Sequence, residues 1–359
     1  MEKTFLNRHP MLCVIALAAF SLLPLMALRD FSPSNELRYL SIVDEALANG
    51  NVFTFANHGE AYADKPPLFF WLLMALRHLF GGHYMLCDAL MAFIPSCVTV
   101  LVMDRWVKTA FPGRLTGIQR AAAAGMLMTT AFFLSMSIFV RMDMLMTMWI
   151  VLALFSFWKW DSGIGRTWVH RITLPLYIFL ALFTKGPVGI LMPIVTIVSF
   201  LCLERRPKDM FKYLGISTWL ILAVLCAGWF AAVYAEGGRA YLDNLLFHQT
   251  VDRAVNAAWH KAPVWYYLIT IWGVLAPWCL CTLPSLVRAL NPGERQPSEP
   301  LERLLAIAVV STVVMLSCFS SKLAIYLVPV IPFAVYTFPL VMARRGYDTL
   351  SRIGLSVPA

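Results

Sequence analysis

Between Ser34 and Trp71 the chain gathers acids, bases and aromatics into two short strings, Asn35-Glu36-Leu37-Arg38-Tyr39 and Tyr62-Ala63-Asp64-Lys65-Pro66-Pro67. The sequence is otherwise 60% hydrophobic. A chain of that kind keeps such groups where water, a substrate or an opposite charge compensates them. In the second string each proline fixes its own φ and restricts its predecessor, so Asp64 and Lys65 sit on a rigid turn. An acid and a base held side by side read either as a salt-bridged turn or as part of a reactive site. In the first string, Ser32-Pro33 can start a short helix and Gly50 can end it, with Leu37, Leu40, Val43 and Leu47 as its apolar stripe. Asn35 and Arg38, three residues apart, then project together with Glu36 beside them. The same pattern also suits an amphipathic helix on a membrane surface whose charges are merely solvated.

Three further strings repeat the theme. Thr184-Lys185-Gly186-Pro187 separates two apolar runs with almost no loop, which puts Lys185 at a mouth between helices. Free amides at the start of the following helix could face an anion there, although such a lysine also snorkels readily to lipid phosphate. Arg141-Met142-Asp143 and Ser320-Ser321-Lys322 mark two other helix ends. Asp88 is expected to pair with Arg77 or Arg141. The stretch 236–263 carries Arg239, Tyr241, His248, Arg253, His260 and Lys261, and Trp265-Tyr266-Tyr267 follows as an interfacial aromatic belt. His248 and His260 lack a defined third ligand, so no metal set is assigned and a divalent metal is left open as a cofactor.

The elements that position these groups follow from the apolar runs. Only 14% of the 359 residues are charged, and mean hydropathy is +0.70. Continuous apolar runs, not alternating ones, define an all-α polytopic membrane protein and exclude a β-barrel. Spans are expected near 11–28, 85–104, 121–139, 144–160, 172–184, 187–203, 213–235, 264–286, 304–319 and 323–342. The first lacks the paired small residues of a cleavage site and is read as a retained span. Arg105, Lys108, Arg114, Arg166, Arg171, Arg205, Arg206, Lys208, Lys212, Arg288 and Arg295 then fall on one side, with Lys3, Arg8, Arg344 and Arg345. That side is cytoplasmic, and it accounts for the net charge of +9 without invoking nucleic acid. The alternation requires that 67–82 lie on the outer surface as an interfacial helix. Residues 29–84 and 236–263 thus form two outer loops, and the strings singled out above converge on that face. Together they suggest a site for a membrane-embedded phosphate. The eight cysteines show no metal-ligand spacing and read as small core residues.

The ordered set Glu36-Leu37-Arg38-Tyr39, Tyr62-Ala63-Asp64-Lys65-Pro66-Pro67-Leu68, Arg141-Met142-Asp143, Thr184-Lys185-Gly186-Pro187, His260-Lys261-Ala262-Pro263-Val264-Trp265-Tyr266-Tyr267 and Ser320-Ser321-Lys322-Leu323-Ala324-Ile325-Tyr326-Leu327-Val328-Pro329 resembles the protein O-mannosyltransferase and aminoarabinose transferase superfamily. These are type-C, family 39 glycosyltransferases. The resemblance covers roughly Leu28 to Pro332 and implies the type-C fold over 1–345, with 346–359 as a short tail. It implies transfer of a sugar from a polyprenyl-phosphate donor, with inversion, to lipid A, another glycan or a protein on the periplasmic face of a bacterial inner membrane. Arg38, Lys65 and Lys185 match positions suited to the donor phosphate. Glu36, Asp64 and Asn35 match the catalytic region, and Tyr39, Tyr62, Arg141, Asp143, His260 and Lys322 are candidate substrate contacts.

Two departures from the family pattern matter. Its usual Asp-Glu pair is Asn35-Glu36 here, and an amide cannot serve as a general base, a role worth about 10²–10⁴ in rate. Either Glu36 or Asp64 takes the role, the acceptor is already nucleophilic, or the protein is a weak relative that only binds donor. Larger members also carry more spans and a soluble C-terminal domain, so acceptor selection is expected to be absent or supplied by a partner protein. The competing function is a transporter of lipid or lipid-linked sugar, which would need polar groups near the bilayer midplane. The charges here gather at helix ends instead.

Overall fold

The structure, a computed structural model, describes residues 5–246, 261–294, 296–346 and 355–356. The expected spans all correspond to helices. We label these α1 (Pro10–Leu28), α4 (Met85–Ala110), α5 (Gly117–Thr129), α6 (Ala131–Ile138), α7 (Asp143–Asp161), α8 (Thr167–Lys185), α9 (Val188–Leu203), α10 (Ile216–Asp243), α11 (Tyr266–Val274), α12 (Cys279–Leu290), α13 (Pro300–Ser317) and α14 (Ile331–Arg345). Between α1 and α4 lie α2 (Glu36–Asn49) and α3 (Leu68–Phe80). Among the described residues, seven helices are individually long and apolar enough to cross a membrane, or eight with the bent pair α5–α6 counted as one span. The protein is a multi-pass membrane protein.

Several spans are less regular than their hydropathy suggests. The expected span 121–139 is α5 and α6 bent by 69° at Thr130. The expected span 264–286 is broken between α11 and α12, and the last one begins as a 3₁₀ segment, Ala324–Val330. The stretch expected to be loop from residue 236 continues α10 as far as Asp243. Local chemistry sets other boundaries. Pro10 occupies the first turn of α1, and Thr116 with Gln119 forms a capping box at the start of α5.

The centre of the bundle is α7, buried along almost its whole length, together with α14, buried from Ile331 to Met342. α7 packs against α4 and α8, and α14 against α12 and α13. α1 and α10 bury few side chains and present apolar ones such as Phe20, Leu28, Ile216 and Leu220 outward. Cys202 and Cys318 are likewise exposed, so they are not the core residues expected; Cys281 is.

In the first outer loop, α3 is too short to span and lies where an interfacial helix was expected. α2 begins at Glu36, with Asn35 preceding it, and not at Ser32-Pro33; it ends at Gly50. Its buried face is Tyr39, Leu40, Ile42, Val43 and Ala46. Leu37 and Leu47, assigned to the apolar stripe from sequence, are exposed. The two helices are joined by a small hairpin, β1 (Ala56–Asn57) and β2 (Glu60–Ala61).

Candidate active site

α7 and α8 are neighbouring helices whose outer ends carry opposite charges at the positions their dipoles favour, Asp143 at the start of α7 and Lys185 at the end of α8. They meet: the Lys185 ammonium donates to Asp143 Oδ1. Arg141 Nε donates to Asp143 Oδ2 at 3.1 Å. Asp143 is fully buried and the Lys185 side chain is 8% exposed, so one carboxylate anchors two cations in a largely dry setting. Lys185 also lies over the Tyr326 ring, 5.3 Å from its centre. Gly186 follows with φ 100°, a backbone open to glycine, and lets the chain reverse into α9. Two of the amides at the start of α9, expected to be free for an anion, are already engaged. Gly189 and Ile190 donate to the carbonyls of Gly186 and Pro187, at 2.9 and 3.2 Å.

The first outer loop carries a second group of residues, centred on Arg38. Arg38 Nη2 donates to the Asn35 side-chain oxygen at 3.0 Å, so the expected joint projection of this pair is observed. The guanidinium lies 5.7 Å from the Tyr39 ring centre and 5.9 Å from that of Tyr62. Its Nε is buried and has no hydrogen-bond partner among the described residues. The buried Phe70 ring touches the rings of Tyr39, Phe55 and Tyr62, which fixes this aromatic platform to α3. Burial pushes the Tyr39 phenol up from its ordinary pKa, with Arg141, Asp143 and Arg38 the charges close enough to act on it. Tyr39 thus joins the Arg38 group to the Asp143 group. The Lys65 ammonium donates to the Asp64 carbonyl oxygen at 3.1 Å, and both residues are half-buried.

Glu36 turns the other way. Its carboxylate accepts from Arg29 at 2.6 and 2.7 Å, from the Ser32 amide at 2.6 Å and from the Val140 amide at 2.6 Å. Arg29 also donates to the Ile138 carbonyl at 2.8 Å. Burial raises the Glu36 pKa, but these donors outweigh it and hold the carboxyl below its usual range. A carboxylate so saturated has no lone pair to offer an acceptor, which corrects its expected role as base. It is instead an anchor tying α2 to the segment that presents Arg141.

Other expectations divide. Asp88 pairs with neither Arg77 nor Arg141; His83 lies 3.3 Å from it, and Arg77 binds Asp44 at 2.8 Å. Lys322 is buried, and its ammonium donates to the Phe319 and Ala262 carbonyls at 2.5 and 3.1 Å. His248, Arg253 and His260 lie outside the described residues. Among the described residues, no three His, Cys, Asp or Glu side chains come together as a metal set. Residue type and spacing single out neither Arg29 nor Glu236, although both organise the outer loop. Their only signal was a charge next to a span end.

The fold is shared with two solved structures. The crystal structure of ArnT from Cupriavidus metallidurans bound to undecaprenyl phosphate superposes with a TM-score of 0.79 at 20% identity, covering 97% of this chain and 63% of that one. An oligosaccharyltransferase from Archaeoglobus fulgidus in the apo form gives 0.61 at 15% identity, covering 99% of this chain and 55% of that one.

The resemblance seen in the motifs also holds along the sequence. The undecaprenyl phosphate-alpha-4-amino-4-deoxy-L-arabinose arabinosyl transferase 1 of Pseudomonas fluorescens is 26% identical over 324 residues, 88% of this chain and 54% of the relative. The transferase of the same name from Edwardsiella ictaluri is 28% identical over 321 residues, 87% and 54% of the two chains. The chain therefore spans little more than half the length of these curated relatives. No family model matches it.

Proposed function

We propose that this protein transfers a sugar from a polyprenyl-phosphate donor to an acceptor at the outer, periplasmic face of a bacterial inner membrane. The observation that carries this reading is the surplus of cations around one carboxylate. Arg141 and Lys185 converge on Asp143, while among the described residues Arg38 meets the neutral Asn35 amide and two aromatic rings. An anionic group completes that arrangement. The relatives' names, which specify an undecaprenyl-phosphate-linked aminoarabinose, support a polyprenyl phosphate as the anion and a pentose as its sugar.

In the proposed reaction the acceptor oxygen attacks the anomeric carbon opposite the phosphate. The new C–O bond forms as the bond to the phosphate oxygen breaks, and the configuration inverts. Polyprenyl phosphate leaves as an anion. Arg38, Lys65 and Lys185 stabilise its developing charge in a poorly hydrated site, where fixed charges act strongly. Asp64, not Glu36, receives the acceptor proton when the acceptor is a hydroxyl. Arg141 and Asp143 hold Lys185 in place, and Tyr39 and Tyr62 shape the floor beneath Arg38.

The test is native mass spectrometry of the gently purified protein, followed by turnover with a polyprenyl-phosphate sugar. A co-purifying polyprenyl-phosphate species that disappears in Lys185→Ala, together with turnover by the unchanged protein, supports the reading. No bound lipid, and no binding when polyprenyl phosphate is added back, overturns it in favour of transport. Binding without turnover identifies a relative that only holds the donor.

A further inference from the structure

The hairpin that leads into Asp64 is interrupted at one rung. β1 and β2 pair Ala56 with Ala61 and Asn57 with Glu60 around the two-residue turn His58-Gly59, both at positive φ. In an antiparallel ladder, pairs that exchange two N–H···O bonds alternate with pairs that exchange none. Counting back from the turn, Phe55 and Tyr62 should exchange both. The Tyr62 amide does donate to the Phe55 carbonyl, at 2.8 Å. The second bond is replaced by a side chain from α10. The Tyr241 hydroxyl accepts from the Phe55 amide at 3.0 Å and donates to the Tyr62 carbonyl at 2.8 Å. A hydroxyl suits this place because it donates and accepts at once.

The surrounding structure is built to deliver that hydroxyl. Glu236 accepts from the Val52, Phe53 and Thr54 amides at 3.0, 2.9 and 2.7 Å, and from the Thr54 hydroxyl at 2.6 Å. Gly237 comes so close that a Cβ there would lie 2.5 Å from Thr54 Cγ2. Gly238 breaks α10 at φ 69° and ψ −173°, a left-handed conformation that side chains oppose, and three residues later Tyr241 lies over the hairpin. At the other end, the His58 and Gly59 amides donate to the Glu45 carboxylate of α2 at 2.8 and 3.0 Å. The hairpin is thus held at its turn, at its beginning and at its exit, and the hold at the exit wedges the strands apart.

The geometry points to Tyr241 as a positioning residue for the Asp64–Lys65 turn. By opening the last rung, its hydroxyl sets the direction in which the chain leaves Tyr62, and so where Asp64 and Lys65 stand relative to Arg38. Pro66 and Pro67 stiffen the far side of the turn, so a shift at the Tyr62 carbonyl moves the whole turn and is not absorbed locally. This inference rests on the glycosyl-transfer reading, since it gives Lys65 a phosphate to meet.

The test is a cycle of Tyr241→Phe and Lys65→Ala, read by polyprenyl-phosphate binding and by turnover of the full chain in lipid nanodiscs. Tyr241→Phe keeps the ring and removes only the hydroxyl. It is expected to weaken polyprenyl-phosphate binding and raise donor KM by up to about tenfold, the scale of one neutral hydrogen bond. In the Lys65→Ala background the same substitution is expected to add no further loss, because its effect passes through Lys65. Equal losses in both backgrounds, or unchanged binding, overturn the assignment. Glu236→Gln serves as the second variant. It loosens the beginning of the hairpin and leaves the Tyr241 bridge, so it should lower the melting temperature without raising KM; a comparable rise in KM there overturns the assignment even if Tyr241→Phe fails to fold. Failure of the unchanged protein to bind or turn over the donor tells against the glycosyl-transfer reading instead.

Discussion

At the inner end of the bundle, charges are matched across elements. Arg120 meets Asp104 at 2.7 and 2.5 Å, and Arg206 meets Asp161 at 3.0 Å. Arg303 meets Glu204 at 2.5 and 3.0 Å, and Arg344 meets Glu302 at 2.9 Å. At the outer end the same residue types are arranged differently. Two cations share Asp143, Arg38 leans on an amide, and Glu36, saturated by donors, is turned away towards Arg29. The inner pairs hold helices together. The outer arrangement keeps positive charge in reserve, which costs stability unless an anion arrives.

The contrast is broken most directly by deleting one group from each end. Glu302→Ala strands Arg344, whose side chain is 4% exposed. It should cost about 3–5 kcal/mol of stability, as expected for an uncompensated buried charge. The fraction that still folds should keep its donor KM. Lys185→Ala leaves Asp143 with Arg141, so its stability loss should be smaller, while turnover falls by about 10²–10³. Melting in detergent and turnover in nanodiscs measure the two together. If Lys185→Ala melts as early as Glu302→Ala and still turns over, the outer cluster is no different in kind from the inner pairs.

Arg38→Ala sharpens the comparison on the outer side. A charged hydrogen bond to phosphate contributes about 1.5–3 kcal/mol, so donor affinity should fall about 10–150-fold with little change in melting temperature. A large melting shift with unchanged affinity would mark Arg38 as a structural residue.

Glu36→Gln separates anchoring from catalysis. The Glu36 pKa is lower folded than unfolded. Its contribution to stability is therefore fully present above the unfolded carboxylate range and is lost as pH falls through the lower, folded value. In Glu36→Gln the protein should be less stable at neutral pH, and its stability should decline less steeply on acidification. A melting-temperature series against pH reads this, and an unchanged slope would remove the anchoring role.

Much of this contrast could be read from the sequence, and the limits are instructive. The spans were legible because apolar continuity and basic loops are local signals. Bends such as the one at Thr130 were not, because hydropathy carries no direction. The Asn35–Arg38 contact followed from helical spacing. The opposite orientation of Glu36 did not, since its partner Val140 belongs to a segment far along the chain. Asp88 was given the wrong partner because arginines draw attention that His83 does not. The Tyr241 wedge was beyond sequence altogether, joining residues separated by 179 positions in a ladder only two residues long on each strand.

The smallest expected effect bears on the residue that departs most plainly from the family pattern. Asn35→Ala removes the oxygen that holds Arg38 at 3.0 Å but leaves the Tyr39 and Tyr62 rings beneath the guanidinium. Losing one hydrogen bond of this kind costs about 0.5–1.5 kcal/mol, so turnover should drop a few-fold and up to about tenfold. The loss should appear in donor KM, because Asn35 acts through Arg38 and moves no proton. In the Arg38→Ala background the substitution should then have no further effect on KM. A fall in kcat that persists in that background would assign Asn35 a contact with the acceptor. The outer cluster would then recognise both substrates, whereas the inner pairs recognise only one another.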